Sequence, residues 1–298
     1  MEIPEPYLRI IHEQLSDVAG KVLRLNRDGL VNDVVIVDET WVFRFPKTEE
    51  GRHAQERESR ILDVVRQYVD MPVPAFILLS DSAVMYPIIP GVPLDRNRYL
   101  RQTEAVQNRL IEQMAQFLRQ LHGIPANALT QHEIPVFKRD ASREAWAAKL
   151  EEIQRELFPL LWADQKVWVA ELFAPVLAGE LDMQAYTPGL THYDLASYHI
   201  LFDEPRGVIN GVIDFGVAGI ADPANDIALL INILGEHFLQ RMQPHYPELE
   251  TMLDRARFMA GVLELQWVLE GLRSKDASWF TVHLGRARDV KPIGMPLK

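Results

Sequence analysis

The sequence lacks several features that would assign a protein to a common class. It contains no cysteine, which excludes disulfide bridges and thiolate-bound metals. It shows no basic and apolar leader, and no uncharged apolar run is long enough to cross a bilayer. We therefore expect a cytoplasmic protein that has no membrane partner.

Positive charge is also in short supply. The 298 residues include 31 Lys and Arg against 42 Asp and Glu, which gives a formal net charge of −11. This surplus of acids disfavours nonspecific binding to nucleic acid or anionic lipid, and it modestly favours cationic small molecules. We expect no nucleic-acid partner and a small-molecule substrate, in a chain long enough for one large domain or two smaller ones.

The densest group of chemically useful residues lies between positions 191 and 219. Residues 192–203 read His-Tyr-Asp-Leu-Ala-Ser-Tyr-His-Ile-Leu-Phe-Asp, and residues 211–216 read Gly-Val-Ile-Asp-Phe-Gly. Two β-rich runs flank turn residues at 203–207, which predicts a hairpin that returns Asp214 to the neighbourhood of Asp194 and His199. The spacing matches the catalytic loop and the metal-binding Asp-Phe-Gly of kinases.

We interpret Asp194 as the catalytic base, and His199 and Asp214 as ligands of Mg²⁺, with GTP or ATP as phosphoryl donor. His199 is unusual in this role because magnesium prefers oxygen ligands. In one alternative, the histidines cap turns or fill the core. In another, His192 and Asp194 join a further histidine in a two-histidine, one-carboxylate iron site, which leaves Asp214-Phe-Gly unexplained.

A cation and an acid upstream fit a nucleotide site. In kinases a cation on the third strand contacts the phosphates of the nucleotide, and a helix glutamate holds that cation. Arg44 lies on such a strand, and Glu58 follows on a predicted helix over 49–68. Lys47 is the alternative cation. An exposed Arg44 and a solvated Glu58 would be the purely structural explanation.

A loop between the first two predicted strands lies where a nucleotide-covering loop is expected. Gly29 would let the backbone approach the phosphates closely, and Asn32 could donate a hydrogen bond. An ordinary hairpin turn explains the same residues.

Residues 86–90 are candidates for the segment that pairs with the purine. Proline has no N–H, so the Pro87 carbonyl and the backbone groups of Ile88 and Ile89 would be usable. The bulk of Tyr86 behind the purine would hinder adenine and favour guanine. The alternative is a strand that leaves the sheet, with Tyr86 in the core.

The distribution of strand and helix patterns indicates two lobes. Up to residue 89 the patterns are mostly short strands, and beyond residue 93 they are helical, over 104–122, 142–161, 165–177, 223–239 and 249–273. We predict an α+β chain with a bilobal, protein-kinase-like fold. A small antiparallel-sheet N-lobe spans 1–89, a hinge spans 86–93, and a larger helical C-lobe spans 94–298 and carries the hairpin at 191–219.

These residues resemble the aminoglycoside phosphotransferase family, above all the aminoglycoside 2''-phosphotransferases, with the macrolide 2'-phosphotransferases as the neighbouring group. The likeness covers most of the chain and is strongest at 192–203 and 211–226. It implies a role for each of six residues: Asp194 as base, His199 and Asp214 as magnesium ligands, Glu58 as partner of the strand cation, and Pro87 and Ile89 around the purine.

The family pattern fades after Asp226, where similar aminoglycoside kinases carry acids for the ammonium groups of the drug. Here the chain is apolar and only Glu236 remains. We take Glu236, Trp267 and Glu270 as candidate substrate-binding residues, although such tryptophans are more often in a core. An apolar-walled pocket, as for a macrolide, is the rival.

We therefore expect an antibiotic kinase, a phosphotransferase with an alcohol group as acceptor. It would transfer the γ-phosphoryl group of GTP or ATP to a hydroxyl of an aminoglycoside-type antibiotic. The alternatives are a macrolide 2'-phosphotransferase, a kinase of another small hydroxylated metabolite, and a catalytically silent kinase-fold module that only binds nucleotide.

Overall fold

The computed structural model describes residues 3–15, 18, 20–27, 31–79, 83–138, 140–275 and 294. Its amino-terminal region is built on an antiparallel sheet, and a larger helical region follows, as predicted. The amino-terminal elements are α1 (Glu5–Gln14), β1 (Leu23–Asn26), β2 (Asn32–Val37), β3 (Trp41–Pro46), α2 (Glu49–Tyr68), β4 (Ile77–Leu78) and β5 (Val84–Pro87).

Residues 92–274 supply the remaining elements. The strands are β6 (Val92–Pro93), β7 (Gly189–Thr191), β8 (Ile200–Asp203), β9 (Val208–Val212) and β10 (Gly219–Ala221). The helices are α3 (Arg96–Leu100), α4 (Glu104–His122), α5 (Ala126–Gln131), α6 (Arg143–Glu156), α7 (Ala163–Ala178), α8 (Ala224–Leu234), α9 (Glu236–Met242) and α10 (Leu253–Ser274).

The amino-terminal sheet has the strand order β1-β2-β3-β5-β4, with antiparallel neighbours. Side chains alternate between its faces, so one face can be apolar. Val35, Phe43 and Met85 on that face are buried against Ile10 and Ile11 of α1. The opposite face carries Arg44 and is therefore the one that faces the candidate site.

Helix α2 connects the sheet to the helical region. Thr48 caps its first turn, since the Thr48 hydroxyl accepts a hydrogen bond from the Gly51 amide at 3.1 Å. The apolar stripe of the helix includes Ile61 and Val65, and both belong to the large core of the helical region rather than to the core under α1. The position of α2, and of Glu58 on it, is thereby set by the larger core.

The predicted hairpin is formed by β8 and β9, and β6 adds a third strand beside β8. Gly207 closes the turn with a φ of 62°, and its amide donates to the Asp203 carbonyl at 2.8 Å. A positive φ is the backbone conformation that glycine adopts without steric cost. The hairpin places the residues before β8 next to those after β9.

Three predicted helices are shorter in the structure than in the sequence analysis. The helix expected over 142–161 ends at Glu156. The helix expected over 223–239 is divided at Gly235, whose φ of 86° ends α8 and starts α9 in a new direction. The helix expected from residue 249 begins at Leu253, because a 3-10 turn occupies Pro247–Thr251. By contrast, α4 has the predicted bounds, and Gly123 is its C-cap.

None of the helices within the described ranges combines the length and the apolar character that crossing a membrane requires.

Candidate active site

The loop after β7 and the segment after β9 meet at one end of the β8–β9 hairpin. Tyr193 in the loop and Asp214 in the segment both have a φ of 68°. A non-glycine residue in this left-handed region costs about 1–2 kcal/mol. Hydrogen bonds from the surrounding structure hold both residues in this conformation. The backbone conformation in turn sets the direction of the side chains that follow.

Asp226, in the first turn of α8, anchors the loop. Its buried Oδ2 and Oδ1 atoms accept hydrogen bonds from the amides of His192 and Tyr193, both at 2.9 Å. His122 Nε2 lies 3.0 Å from Asp226 Oδ2, and His122 Nδ1 lies 2.8 Å from the Tyr246 hydroxyl. Three elements distant in sequence therefore fix the loop through one carboxylate.

His192 links the loop to the segment after β9. Its Nε2 donates to the carbonyl of Ile213 at 3.0 Å, and its Nδ1 accepts from the Asp194 amide at 3.3 Å. Burial lowers the pKa of His192 and keeps the ring neutral. Both ring nitrogens are thus engaged with backbone, so the structure disfavours the alternative in which His192 binds iron.

His199 lies between the two carboxylates of the site. Its Nδ1 donates to the backbone carbonyl of Asp194 at 2.7 Å, and its Nε2 lies 3.3 Å from Asp214 Oδ2. The side chain of Asp194 is also close, with Oδ2 at 3.7 Å from Nδ1. The hairpin therefore brings Asp194, His199 and Asp214 together, as the sequence analysis predicted for their positions.

The charges of this cluster reinforce one another. The hydrogen bond from His199 is the main reason that the pKa of Asp214 falls to about 2. Burial by itself would lower the pKa of His199, but the hydrogen bonds to Asp214 and to the Asp194 carbonyl outweigh it, and the pKa is raised. Each of the two groups therefore favours the charged form of the other.

The same pair suits a divalent cation bound together with a nucleotide. Because Nδ1 of His199 is committed to a carbonyl, Nε2 could direct its lone pair at a cation that Asp214 would also contact. No group of three or more metal-binding side chains occurs within the described part of the chain. A cation with two protein ligands fits magnesium, which usually completes its shell with phosphate oxygens and water.

Arg44 and Glu58 form a buried ion pair next to this cluster. Arg44 Nη1 lies 3.1 Å from Glu58 Oε1 and 3.0 Å from Oε2. Glu58 Oε1 also accepts a hydrogen bond from the Phe215 amide at 3.1 Å. Burial raises the pKa of Glu58, and the charge of Arg44 opposes that rise. The pair connects β3, α2 and the segment that carries Asp214.

Lys47, the alternative cation, points elsewhere. Its Nζ donates to the Arg27 carbonyl at 2.8 Å and lies 3.4 Å from Asp33 Oδ1. Arg44 is therefore the cation that Glu58 holds.

The predicted phosphate loop is described only in part. Gly29 lies outside the described residues. Asn32 begins β2 opposite Pro46, on the same face of the sheet as Arg44. Its side chain is buried, and Oδ1 finds no hydrogen-bond partner within the described ranges. Its role as a donor to phosphate stays a prediction.

The predicted purine segment needs one correction. The Ile88 amide donates to the Thr40 carbonyl at 2.8 Å, so this group serves the sheet and is not usable by a purine. The Pro87 carbonyl and Ile89 remain as candidates. The Tyr86 ring stacks on Phe76 with centroids 5.0 Å apart, and burial raises the pKa of Tyr86 to about 12.

One of the three candidate substrate residues, Glu236, is not accessible in the structure. Glu236 is only 2% exposed, and Arg257 holds it with two hydrogen bonds of 2.8 Å, so the structure does not offer Glu236 to a substrate. Trp267 is 38% exposed and Glu270 is exposed, both on α10. Their role in substrate binding stays a prediction.

The structure adds residues that the sequence analysis missed. Tyr198 is 58% exposed beside the cluster, and its ring meets that of His199 edge-on with centroids 4.4 Å apart. Burial and the charges of Asp194 and Asp214 raise its pKa. The sequence signal for Tyr198 was its position directly before His199. The sequence carries no signal for His122 and Tyr246, because their link to Asp226 exists only in the folded structure.

Known proteins resemble the chain over most of its length. The model of the phosphotransferase enzyme family matches residues 22–259. The uncharacterized protein YcbJ of Bacillus subtilis (strain 168) is 27% identical over 241 residues, which cover 76% of this chain and 74% of that protein.

Solved structures resemble the fold. The GDP and kanamycin complex of an aminoglycoside 2''-phosphotransferase has a TM-score of 0.79 and 25% identity, and the match covers 95% of this chain and 97% of that one. Macrolide 2'-phosphotransferase type I has a TM-score of 0.69 and covers 98% and 100% of the two chains. At 18% identity, the second likeness concerns the fold alone.

Proposed function

The chain belongs to the phosphotransferase enzyme family, and from that premise we propose that it transfers the γ-phosphoryl group of GTP or ATP to a hydroxyl of a small-molecule antibiotic. The observation that carries this proposal is the meeting of Asp194, His199 and Asp214 beside the buried Arg44–Glu58 pair. A general base, a cation site and a phosphate-binding guanidinium are the groups that phosphoryl transfer requires.

Asp194 is the proposed base. Its side chain is 38% exposed, while the loop around it is held by Asp226, so the carboxylate is both accessible and positioned. The acceptor hydroxyl would donate its proton to Asp194 as it attacks the γ-phosphorus. Positioning of this kind accounts for much of the catalysis of phosphoryl transfer, since the transition state is loose.

The nucleotide would lie between the sheet and the hairpin. Arg44, held by Glu58, would bind phosphate oxygens, and Pro87 and Ile89 would frame the purine. His199 and Asp214 would hold Mg²⁺, which neutralises phosphate charge when bound. Gly29 and Asn32 would cover the phosphates. We place the reaction in the cytoplasm, where GTP and ATP are available.

Two acceptor classes are candidates. An aminoglycoside is the first, because a similar aminoglycoside 2''-phosphotransferase was solved in complex with GDP and kanamycin. A macrolide is the second. It is favoured because Glu236 is engaged by Arg257, while Leu229 and Ile233 of α8 are only partly buried. A silent nucleotide-binding module is disfavoured, since Asp194 and Asp214 are both present.

The test is phosphate transfer by Asp194→Asn. We expect turnover to fall by about 10²- to 10⁴-fold, the usual contribution of a general base, with unchanged GDP binding. Asp63→Asn, an exposed acid on α2, is the matched control and should keep full turnover. Undiminished transfer by Asp194→Asn would show that the assigned base is wrong.

The acceptor and the donor are tested in the same assay. Aminoglycosides and macrolides are offered with GTP and, separately, with ATP, and transferred phosphate is counted. Preference for GTP is expected if Tyr86 restricts the purine site. Equal use of the two nucleotides would contradict the role given to Tyr86.

A further inference from the structure

We infer that Tyr193, held by Phe137, is a specificity-determining residue: its ring packs against the saturated ring, such as a sugar, that carries the reacting hydroxyl of the acceptor. This inference rests on the proposed function, because it assigns the shape of the acceptor in the same reaction.

Tyr193 lies directly beside the proposed base. It precedes Asp194 in the loop after β7, and the Cα atoms of adjacent residues are about 3.8 Å apart. The Tyr193 amide donates to Asp226 at 2.9 Å, so the backbone of this residue is fixed together with that of the base. A molecule that brings a hydroxyl to Asp194 therefore has to pass close to Tyr193.

Phe137 reaches Tyr193 from the other side of β10. The Ile220 amide donates to the Pro135 carbonyl at 2.8 Å, and the Phe137 amide donates to the Ile220 carbonyl at 2.9 Å. Strand β7, which leads into the loop, pairs with the opposite edge of β10. The Phe137 ring crosses β10 at Gly219, where a Cβ atom would lie 2.6 Å from the ring. The two rings meet with centroids 4.9 Å apart and an angle of 55° between their planes.

Packing of the interior does not account for this pair of rings. Among the residues that the structure describes, neither Tyr193 nor Phe137 belongs to an apolar core, and both are half-buried. Tyr193 also has a φ of 68°, which glycine would adopt without steric cost. Residues held in such conformations cluster at functional sites. A partly exposed ring in a strained loop beside the base is thus placed to contact a substrate.

The pair and the proposed cation site are built on different elements. Phe137 and Tyr193 lie against β10, whereas His199 and Asp214 lie at the end of the β8–β9 hairpin. The nucleotide and its cation would occupy the hairpin side of Asp194. The β10 side is then left for the acceptor, whose hydroxyl has to meet the nucleotide at that carboxylate.

The chemistry of the pair suits a ring. Tyrosine and phenylalanine offer large, flat apolar faces. The C–H bonds of a saturated ring form a face of matching shape, and a ring has less conformational freedom to lose on binding than an open chain. Aminoglycosides and macrolides both carry sugar rings, so the two acceptor classes share this chemistry.

Binding of kanamycin and of erythromycin tests the inference and distinguishes the two sources of the ring. Each antibiotic is titrated by calorimetry into the wild-type protein saturated with GDP and Mg²⁺, so that the nucleotide site is occupied. We expect at least one of them to bind. In NMR, saturation of the aromatic protons of the protein should transfer to the sugar C–H protons of the bound antibiotic. If neither antibiotic binds, the inference is overturned.

Tyr193→Gly removes the ring but keeps the amide that donates to Asp226, and glycine tolerates a φ of 68°. The loop should therefore fold as before. We expect the affinity for the bound antibiotic to fall by about tenfold, the size of one aromatic contact, with unchanged affinity for GDP. Tyr193→Phe keeps the ring and should bind like the wild type. Tyr68→Ala, which removes an exposed tyrosine at the end of α2, is the matched control and should change neither affinity.

Three results with these variants would each overturn the inference. The first is an unchanged antibiotic affinity and saturation transfer in Tyr193→Gly. The second is a loss in Tyr193→Phe as large as that in Tyr193→Gly, which would assign the effect to the hydroxyl. The third is an equal loss of GDP affinity in Tyr193→Gly, which would show that the ring only supports the loop.

The transfer assay separates this inference from the proposed function. Tyr193→Gly should raise the KM of the acceptor by about tenfold and change kcat little, because Asp226 still holds the loop. If an antibiotic binds through Tyr193 but none is phosphorylated, the proposed function fails and the ring-binding role stands. If an antibiotic is phosphorylated and Tyr193→Gly leaves its KM unchanged, the kinase function stands and the inference fails.

Discussion

At the scale of single residues, the chemistry of His199 depends on two neighbours. The Asp194 carbonyl accepts a hydrogen bond from Nδ1, so in the proposed magnesium site Nε2 would be the atom for which a second proton and the cation compete. Asp214, whose pKa of about 2 keeps it ionised, attracts both. The raised pKa of His199 would therefore make cation binding in the proposed magnesium site dependent on pH.

The first prediction concerns protons released when Mg²⁺ binds. Below the raised pKa of His199 the ring carries the competing proton, so apparent Mg²⁺ affinity should rise with pH until that pKa is passed. Asp214 should release none between pH 5 and 9, because its pKa is about 2. Titration calorimetry of the GDP complex in buffers of different ionisation enthalpy measures the released protons.

The control for this prediction is His199→Asn, which keeps a ligand and removes the titrating ring. Its Mg²⁺ binding should release no protons and should not vary with pH in the same range. Equal proton release in the variant and the wild type would assign the titration to another group.

At the scale of elements, the junction of α8, α9 and α10 determines which partner the carboxylate of Glu236 contacts. Gly235 ends α8 and begins α9, and this turn directs Glu236 inward. Arg257 on α10 is only 1% exposed and donates two hydrogen bonds to Glu236. The sequence analysis takes Glu236 as a candidate substrate ligand. In the structure, its carboxylate is part of the contact between α9 and α10.

Glu236→Gln should therefore change stability rather than substrate binding. Removing one charge of a buried pair costs about 3–5 kcal/mol, and we expect the lower end because Asp254 still lies 3.2 Å from Arg257. Urea unfolding measures the loss of stability. The KM of the acceptor, measured below the unfolding range, should not change. A large rise in KM without destabilisation would return Glu236 to the substrate site.

At the scale of the whole molecule, the core under α1 and the large core of the helical region differ greatly in size. The core under α1 is small, whereas α2 shares the large core with α4 and α8. The sheet is joined to that larger body mainly through α2, the Arg44–Glu58 pair and the Phe215 amide. Regions with few buried apolar contacts open at lower free energy than the global unfolding.

Hydrogen exchange should reveal this difference. Amides of β2 and β3 should exchange through openings of lower free energy than amides of α4 and α8. GDP with Mg²⁺ at about 100 times its Kd should add about 2.7 kcal/mol to the protection of the sheet, if only the closed form binds. Asp194→Asn should gain the same protection, because the proposed base is not needed for nucleotide binding. Uniform protection of sheet and helices without nucleotide would contradict the prediction.

Local features of the fold were predictable because they depend on neighbours in sequence. The apolar period of α4 and its terminal glycine gave its bounds, and the turn residues at 203–207 gave the hairpin. The division at Gly235 was missed, since a glycine inside an apolar helical pattern is compatible with continuation. Whether such a glycine ends the helix depends on what its neighbours contact.

The sequence by itself determined the family, the succession of sheet and helices, and the hairpin on which Asp194, His199 and Asp214 meet, because these follow from short-range spacing. Only the tertiary structure decided that Glu58 pairs with Arg44 instead of Lys47, and that Glu236 pairs with Arg257. The physical reason is that a buried charge pairs with whichever opposite charge packing brings within reach, and that partner comes from a distant element.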